Sequence, residues 1–338
     1  MHEQSAKYNL YDLQPQEESK WDNFIDSNSL PIFFSLKWAR IIRDTTNRPY
    51  KVLLIEKNGQ IFGGFLHWPH KKYGLDAVTP PPFTPYFGTI LNLRANTKNS
   101  TLIARHQQCN DLLIKELKKR FDFIRFLGHP LLADIRPYLW NGFDVQPLYT
   151  YRFPLKHNVD MQYNTTLKRQ IRKSERENLS LQSNTEPDAL VRFVLDSYLA
   201  HGLNPPLDEQ ALQVFSRALL KEGIARLFYV LNSSGEKIGG MLLTHDANTV
   251  YYSLSGINRA YKHLNPMVFL LDRVFRDKRL SGKEFDFIGA NTPVLEQFKR
   301  GFGGRLVTYF HLSFYKNALI KNMVRLNDLR LKHRTGRG

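Results

Sequence analysis

Basic side chains at helical spacing are the most conspicuous chemical groups in the sequence. Lys168, Arg172 and Arg176 recur at four-residue intervals within the segment 163–181, so they share one face of a predicted helix. A row of cations can bind phosphate groups, or it can form an ordinary solvated face. On spacing alone, both interpretations remain open.

Signatures of several enzyme classes are missing from the sequence. It contains no GxxxxGK[ST] phosphate loop, no GxSxG nucleophile elbow, no HExxH zinc motif, and no GxGxxG after a predicted strand. The 11 histidines are scattered, and the single cysteine, Cys109, excludes an internal disulfide and a cysteine-based zinc cluster. The sequence therefore argues against metal, nucleotide-hydrolysis and serine-hydrolase chemistry.

The composition indicates a folded, basic protein with two domains. The 338 residues include 48 Lys and Arg against 31 Asp and Glu, which gives a net charge of +17. Hydrophobic residues make up 42%, enough to bury a core. Neither a secretory signal nor a run of 18 apolar residues is visible, so we expect a cytoplasmic protein. The charge suggests an anionic partner, either nucleic acid, a phosphorylated small molecule or a membrane surface.

An internal repeat organises the predicted elements. The tetrapeptide Phe121-Asp122-Phe123-Ile124 recurs as Phe285-Asp286-Phe287-Ile288. Each copy follows a predicted β-hairpin and then a helix-like segment, and each precedes a closing strand. The hairpins are predicted at 51–68 and 225–245, and the helices at 103–120 and 266–280. Four features in the same order indicate an internal duplication.

The fold class that follows is α/β (α+β), with mixed, mostly antiparallel sheets flanked by helices. The predicted divisions are an N-terminal domain (1–155), a basic connecting helix (156–182), a C-terminal domain (183–315) and a basic amphipathic tail (316–338). Thr165 or Thr166 is the expected cap of the connecting helix. The apolar stripe of the tail, formed by Leu319, Met323, Leu326 and Leu329, can dock on the core or touch tRNA or an anionic membrane.

The second half carries a connected set of segments: IGGMLL (238–243), VYYSLSGIN (250–258), FDFIGA (285–290) and LEQFKRGFGG (295–304). Together they resemble the FemAB-like branch of the GNAT acyltransferase superfamily. The basic helix at 167–181 and Trp38 in FSLKWARII are similar to the same pattern. The resemblance spans residues 20–315 and implies two tandem GNAT-like domains.

This resemblance implies N-acyl or aminoacyl transfer from an activated donor, acyl-CoA or aminoacyl-tRNA, to an amine. The acceptor would be a small molecule or a precursor peptide of the cell envelope. It implies no tightly bound cofactor, no metal and no DNA partner. The reaction requires a carbonyl held beside a neutral amine and a stabilised oxyanion, but no nucleophilic side chain. The alternative is a non-catalytic module that binds an anionic glycan, lipid or RNA.

The resemblance also assigns site residues. The family's Phe-Lys pair corresponds to Phe298 and Lys299, and the lysine could present its ammonium to an oxyanion or remain exposed. Tyr252 is a candidate general acid or groove wall, although a core position is the alternative. Ser255 and Asn291 could hydrogen-bond the substrate or stabilise turns.

Donor contacts are expected from Lys168, Arg169, Arg172, Arg259 and Lys262. The superfamily's [RQ]xxGx[GA] pyrophosphate loop corresponds here to INRAYKHLNPMV (257–268), which lacks glycine. Phosphate would therefore be met by side chains rather than by backbone N–H groups.

Two further side chains need a role. Tyr86, in the Pro-rich stretch 79–88, could bound a substrate cleft between the halves or cover the first core. Asp286 could act as a base, but its counterpart Asp122 in the first half favours a structural role for both.

Overall fold

A computed structural model describes residues 8–91, 98–156 and 162–334. Parts of the predicted connecting segment (157–161) and of the tail (335–338) lie outside these residues. The chain divides into two compact units, one built from Met1–Leu148 and Thr308–Leu331, the other from Tyr149–Val307. The predicted domain limits therefore differ from this division, since the strand at 308–315 pairs within the first unit.

Groups of helices and groups of strands follow one another along the described residues. Up to residue 154 they are β1 (Asn9–Asp12), α1 (Glu18–Ser27), α2 (Leu36–Thr46), β2 (Lys51–Lys57), β3 (Gln60–His67), β4 (Pro69–Lys72), β5 (Leu75–Val78), β6 (Gly88–Leu91), α3 (Asn99–Arg120), β7 (Phe123–Gly128), α4 (Arg136–Trp140) and β8 (Asp144–Pro154). They continue with α5 (Thr165–Arg176), β9 (Ser180–Asn184), α6 (Asp188–Ala200), α7 (Glu209–Lys221), β10 (Ala225–Leu231), β11 (Lys237–His245), β12 (Thr249–Ile257), α8 (Pro266–Phe275), β13 (Glu284–Asp286), α9 (Pro293–Arg300), β14 (Arg305–Tyr315) and α10 (Ala318–Arg334).

The first unit contains the antiparallel sheet β1-β2-β3-β6 and the strand series β4-β5-β7-β14. The predicted hairpin is confirmed as β2 and β3. Its turn places Asn58 and Gly59 at φ values of +52° and +74°, the left-handed conformation of tight hairpin turns. Trp21 and Trp38 are fully buried in this unit, and their indole N–H groups donate to Phe34 O at 2.7 Å and to Thr84 Oγ1 at 3.0 Å.

The second unit contains the strand series β8-β13-β12-β11-β10-β9. The predicted hairpin at 225–245 is confirmed as β10 and β11. Strands β12 and β13 run parallel and are connected through α8, whereas the other pairings described here are antiparallel. The core beneath α8 is rich in aromatic rings, of which Phe153, Phe275, Phe285, Phe287 and Phe302 contact one another.

Both copies of the repeated tetrapeptide contribute to strands with the same kind of pairing. In the first unit, Phe123 pairs in parallel with Ala77. In the second, Phe285 pairs in parallel with Val250. Each of these strands follows a helix, α3 or α8, as the sequence predicts. The two units thus share the order hairpin, helix and parallel strand, and the predicted mixed, mostly antiparallel fold is confirmed.

Two details of the predicted helices are wrong. Neither Thr165 nor Thr166 caps α5; the side chain of Asn164 does so, by accepting a hydrogen bond from Leu167 N at 2.8 Å. In α10 the buried residue is Val324, which packs with Ala77 and Phe123 in the first unit.

The apolar stripe predicted for the tail therefore does not provide the docking face. Leu319, Leu326 and Leu329 remain at least half exposed, because Val324 occupies the opposite side of the helix.

None of the helices among the described residues combines the length and apolarity needed to cross a bilayer. Within the same part of the chain, no three His, Cys, Asp or Glu side chains are grouped in a way that could hold a metal ion.

Candidate active site

The candidate site lies where the parallel strands β12 and β13 separate. Their pairing runs from Thr249 and Glu284 to Tyr251 and Asp286, and then stops. Beyond that point Tyr252 on β12 and Phe287 after β13 form the two sides of a fork. A diverging pair of strands leaves backbone polar groups available to a ligand along the edge of the longer strand.

Lys299 extends from α9 into this fork. Its ammonium donates to the carbonyl oxygen of Phe287 at 2.9 Å and to that of Gly289. The same nitrogen lies 5.7 Å from the ring centroid of Tyr252 and 5.6 Å from that of Phe287. Lys299 is only 6% exposed, so the alternative of a solvated surface lysine is wrong.

Burial lowers the pKa of Lys299 to about 8, whereas the nearby Asp286 carboxylate acts in the opposite direction. The ammonium therefore predominates at neutral pH. A lysine has three N–H donors, and the two carbonyls occupy two of them.

The two neighbouring tyrosines of β12 have different environments. Tyr251 is buried and donates to Asp246 Oδ2 at 2.8 Å, so its side chain belongs to the core. Tyr252 faces the fork. Burial raises the pKa of Tyr252 to about 12, and its hydroxyl also hydrogen-bonds Ser255. The Tyr252 phenol is therefore protonated at neutral pH.

A β-bulge explains how Tyr252 and Ser255 reach each other. Leu243 pairs with Tyr252 and Leu242 with Leu254, so Ser253 is the extra residue on β12. Residues three apart on a regular strand point to opposite faces, and the extra residue brings these two to the same face. The predicted proximity of Ser255 to the site therefore depends on this irregularity.

Phe298 and Asn291 lie beside the fork in different ways. The ring centroids of Phe298 and Phe302 lie 5.4 Å apart. Phe298 also contributes to the wall of a cavity of about 390 Å³ between α5 and α9. Lys299 turns away from that cavity, towards Phe287. Asn291 is exposed, and its side-chain oxygen accepts a hydrogen bond from Tyr149 N at 2.8 Å, which holds the edge of β8.

Tyr86 does not belong to the site. Its side chain is fully buried in the first unit and packs edge-on against Phe33, His129 and Tyr309. The predicted role in bounding a substrate cleft is therefore wrong in this conformation, because no surface of Tyr86 is available to a ligand. The alternative, that the Pro-rich stretch covers the first core, fits its position.

The basic residues of α5 point into solvent. Leu167 and Ile171 form its buried face, and Lys168, Arg169 and Arg172 are all exposed. Within the described residues these three make no ion pair. Their charges are therefore available to an anion, as the donor-binding prediction requires.

The loop between β12 and α8 forms a 3₁₀ helix, Arg259–Leu264. The N–H groups of Ala260 and Tyr261 donate to the side chain and the carbonyl of Asn258. Pro266, the first residue of α8, has no N–H group. These backbone groups are thus not directed at a ligand, while the side chains of Arg259 and Lys262 are exposed on the loop.

Comparison with known families identifies a domain in part of the chain. Residues 162–300 match the model of a family described as acetyltransferase (GNAT) domain. This segment contains a GNAT domain. The match includes α5, the fork of β12 and β13, and α9 as far as Arg300, so Tyr252 and Lys299 both lie within the GNAT domain.

Solved structures extend the similarity of fold beyond the GNAT domain. The crystal structure of FemX has a TM-score of 0.65 and 13% identity, with 89% of this chain and 96% of that chain covered. A tandem GNAT protein from the clavulanic acid biosynthesis pathway has a TM-score of 0.53 and 9% identity, covering 92% and 99%. L-PGS from Bacillus licheniformis has a TM-score of 0.54 and 13% identity, covering 94% and 97%. No curated protein matches the chain.

Sequence reasoning missed the residues that hold the end of β13 in place beside the fork of the GNAT domain. Asp286 is fully buried and bound by Arg152, with Nη2 to Oδ2 at 2.7 Å, and by Thr150, with Oγ1 to Oδ1 at 2.7 Å. The predicted structural role of Asp286 agrees with these contacts. Its partners, Thr150 and Arg152, lie on β8 more than 130 residues earlier in the chain, so no local sequence pattern predicts the pairing.

Proposed function

We propose that the protein is an N-acyltransferase or aminoacyltransferase, with Lys299 and Tyr252 as its catalytic residues. The observation that carries this proposal is the buried Lys299 ammonium in the fork between β12 and β13, beside a protonated phenol and inside a GNAT domain. A cation buried without a carboxylate in direct contact is costly to keep for stability alone, which supports a functional role.

In the proposed reaction, a neutral amine attacks the carbonyl carbon of a thioester or ester donor. A C–N bond forms, the carbonyl oxygen becomes an oxyanion, and the bond from carbon to the leaving sulfur or oxygen then breaks. The third N–H of Lys299 is the donor that we assign to the oxyanion. A fixed charge in a site of low dielectric stabilises such an intermediate strongly, because it needs no reorganisation.

The proton balance of this reaction involves Tyr252. The attacking amine loses one proton and the leaving group gains one. Tyr252 carries its proton at neutral pH, so we assign it to donation to the leaving group, with Ser255 orienting the hydroxyl. The phenolate formed in this way then takes up the proton that the amine releases, which returns Tyr252 to its starting form. Phe298 and Asn291 remain our candidates for substrate contacts at the margin of the site.

For the donor we favour aminoacyl-tRNA over acyl-CoA. In the loop 259–264 the N–H groups of Ala260 and Tyr261 both donate to Asn258, so these two groups are not available to a pyrophosphate. The exposed cations of α5, Lys168, Arg169 and Arg172, suit an extended polyanion instead. Arg259 and Lys262 would add side-chain contacts to phosphate. Both donors are cytoplasmic, so we propose that location.

The donor assignment is tested by the salt dependence of tRNA binding. We expect log Kd to rise steeply with log salt concentration, and the variant Lys168→Ala/Arg172→Ala to lower that slope by about 2. Lys115→Ala/Lys119→Ala is the matched control, because this pair is also exposed and four residues apart on a helix. A slope that the α5 variant leaves unchanged contradicts the assignment, and transfer from acyl-CoA alone would favour the other donor.

A cell-envelope acceptor would bring the protein to a membrane surface, and α10 carries a face suited to it. The exposed Leu319, Leu326 and Leu329 are flanked by exposed Arg325 and Arg330. We propose that this face contacts anionic lipid. Leu326→Asn should weaken sedimentation with phosphatidylglycerol vesicles, whereas Leu199→Asn on α6, equally exposed, should not. Equal sedimentation of the two variants contradicts the contact.

Activity of Lys299→Ala tests the proposed function itself. Charged tRNAs and acyl-CoAs are incubated with the amines of a cell extract, and products are identified by mass spectrometry. We expect Lys299→Ala to lower transfer by about tenfold or more. Lys283→Ala is the matched control, because Lys283 also donates to two backbone carbonyls, those of Asp246 and Ala247. Full activity of Lys299→Ala refutes the catalytic assignment, and no transfer by the parent protein favours the binding-module alternative.

A further inference from the structure

The turn that follows β13 has a backbone that its own sequence does not favour. Ile288 has a φ of +44°, a left-handed conformation that a β-branched side chain rarely adopts. Gly289 follows with a φ of +116°. Such a conformation persists only where surrounding contacts determine it, and it concentrates at functional sites.

Four successive N–H groups of the turn are all bound. Phe287 N donates to Tyr151 O at 3.1 Å and Ala290 N to Tyr149 O at 2.7 Å, so the ends of the turn are tied to β8. Between them, Ile288 N donates to Asp286 Oδ1 at 2.7 Å. These contacts leave the turn with a single backbone path.

The Thr150 hydroxyl connects the Asp286 carboxylate to the backbone of the turn. It donates to Asp286 Oδ1 at 2.7 Å and accepts from Gly289 N at 3.1 Å. Thr150 and Asp286 are both fully buried, so neither can touch a substrate. Arg152 donates to the other carboxylate oxygen through Nε at 2.8 Å, which fixes the orientation of the aspartate.

The result of the turn is a pair of carbonyls aimed at one atom. Because Ile288 reverses the backbone, the carbonyl oxygens of Phe287 and Gly289 both accept from Lys299 Nζ. In a regular strand the carbonyl oxygens of residues two apart also point in one direction, but there they accept hydrogen bonds from the neighbouring strand. Here the strand pairing has ended, so the two oxygens are available to the lysine.

We propose that Thr150 and Asp286 are positioning residues, which hold the strained turn at Ile288 so that it fixes the direction of the Lys299 ammonium. The inference rests on the proposed function, in which Lys299 acts on an oxyanion. It assigns a task to residues from β8 and β13 that never contact the reacting groups. The carbonyl pair fixes two N–H bonds of Lys299, and thereby the third.

The charged and titratable groups around Lys299 belong to four elements. They are Asp286 at the end of β13, Tyr252 on β12, Tyr151 and Arg152 on β8, and Glu296 and Arg300 on α9 itself. Arg152 is paired with Asp286, and Glu296 with both Arg300 and Tyr151. Thr150 therefore connects the Asp286 carboxylate to the turn whose carbonyls accept hydrogen bonds from Lys299.

The test uses Thr150→Val, which removes the hydroxyl and keeps the shape and the charges of the network. Protein labelled with ¹⁵N-lysine gives an ammonium signal for Lys299, assigned by its loss in Lys299→Met. In Thr150→Val we expect this signal to move, and its titration midpoint to fall by about one pH unit because the carbonyl contacts weaken. Transfer should show a kcat about tenfold lower with KM changed less than about twofold.

Two variants control for a merely structural effect. Thr150→Ser keeps the hydroxyl and should restore the parental signal, titration and kcat. Thr89→Val removes another buried hydroxyl, one that hydrogen-bonds Tyr138 in the first unit, and should change none of them. An unchanged or higher midpoint in Thr150→Val overturns the positioning role even if Lys299 is catalytic. Loss of the catalytic role is seen separately, as full activity of Lys299→Ala.

Discussion

Replacing Lys299 by methionine should change the pH dependence of stability by a defined amount. Burial lowers the pKa of Lys299 from 10.5 in an unfolded chain to about 8 in the folded protein. This difference corresponds to about 3 kcal/mol of folding free energy, at about 1.4 kcal/mol for each pH unit. The cost is present in full below pH 8, where the folded state must keep the ammonium buried.

The sign follows from proton binding. Between pH 8 and 10.5 the unfolded chain holds a proton on Lys299 that the folded protein has lost, so raising the pH favours the folded state. Methionine has no such group. Relative to Lys299→Met, the parent protein should therefore gain about 2.5 kcal/mol in its free energy of unfolding between pH 7 and pH 10.

Urea unfolding at several pH values measures this difference directly. The parent and Lys299→Met are compared at each pH, so that the titration of all other groups cancels. The packing of the methionine side chain shifts the free energy of unfolding by the same amount at every pH, so it affects the offset between the two proteins but not its pH dependence. A difference that stays constant from pH 7 to pH 10 would refute the conclusion that Lys299 is buried as a cation.

Three other predictions follow from the same unit. The ratio of the transfer activity of the parent to that of Lys299→Ala should fall as the pH rises through about 8, because Lys299 loses its proton there while the neutral fraction of the acceptor amine changes equally for both proteins; pH–rate profiles of the two check this, and a constant ratio would contradict it. Gly256→Ala should destabilise the protein by about 2 kcal/mol in urea unfolding, since the added carbon would lie 2.6 Å from the backbone of Phe193. Arg152→Met should cost about 3–5 kcal/mol by leaving Asp286 buried without its cation, and thermal unfolding would show a change of a few degrees or more.

The hairpins and the repeated strand could be predicted because their signals are local. Asn58-Gly59 and the turn before Lys237 lie between apolar runs, and such turns require only a few residues to form. The same holds for Pro266 at the start of α8. The order of elements in both units therefore follows from short stretches of sequence.

The position of Lys299 could not be predicted in this way. In sequence it precedes Arg300 and a glycine turn, as many exposed lysines do. Lys299 is buried because two backbone carbonyls accept hydrogen bonds from its ammonium. The direction of these carbonyls depends on Thr150, which is 139 residues from Gly289 in the sequence. Tyr86 shows the opposite error, since the Pro-rich stretch around it is rigid but packs inward. Both outcomes are decided by contacts between distant residues.

The return of the chain to the first unit has a consequence during synthesis. Strand β7 pairs with β14 from Phe123 and Tyr315 to Gly128 and Phe310, so the first unit lacks a strand until residue 315 has been made. Translation of the intervening residues 149–307 takes about 10–30 s. Throughout that time the nascent chain exposes the unpaired edge of β7, and a chaperone can bind to the free backbone groups there. A ribosome-bound chain stalled after residue 155 should therefore be far more sensitive to protease than the released protein.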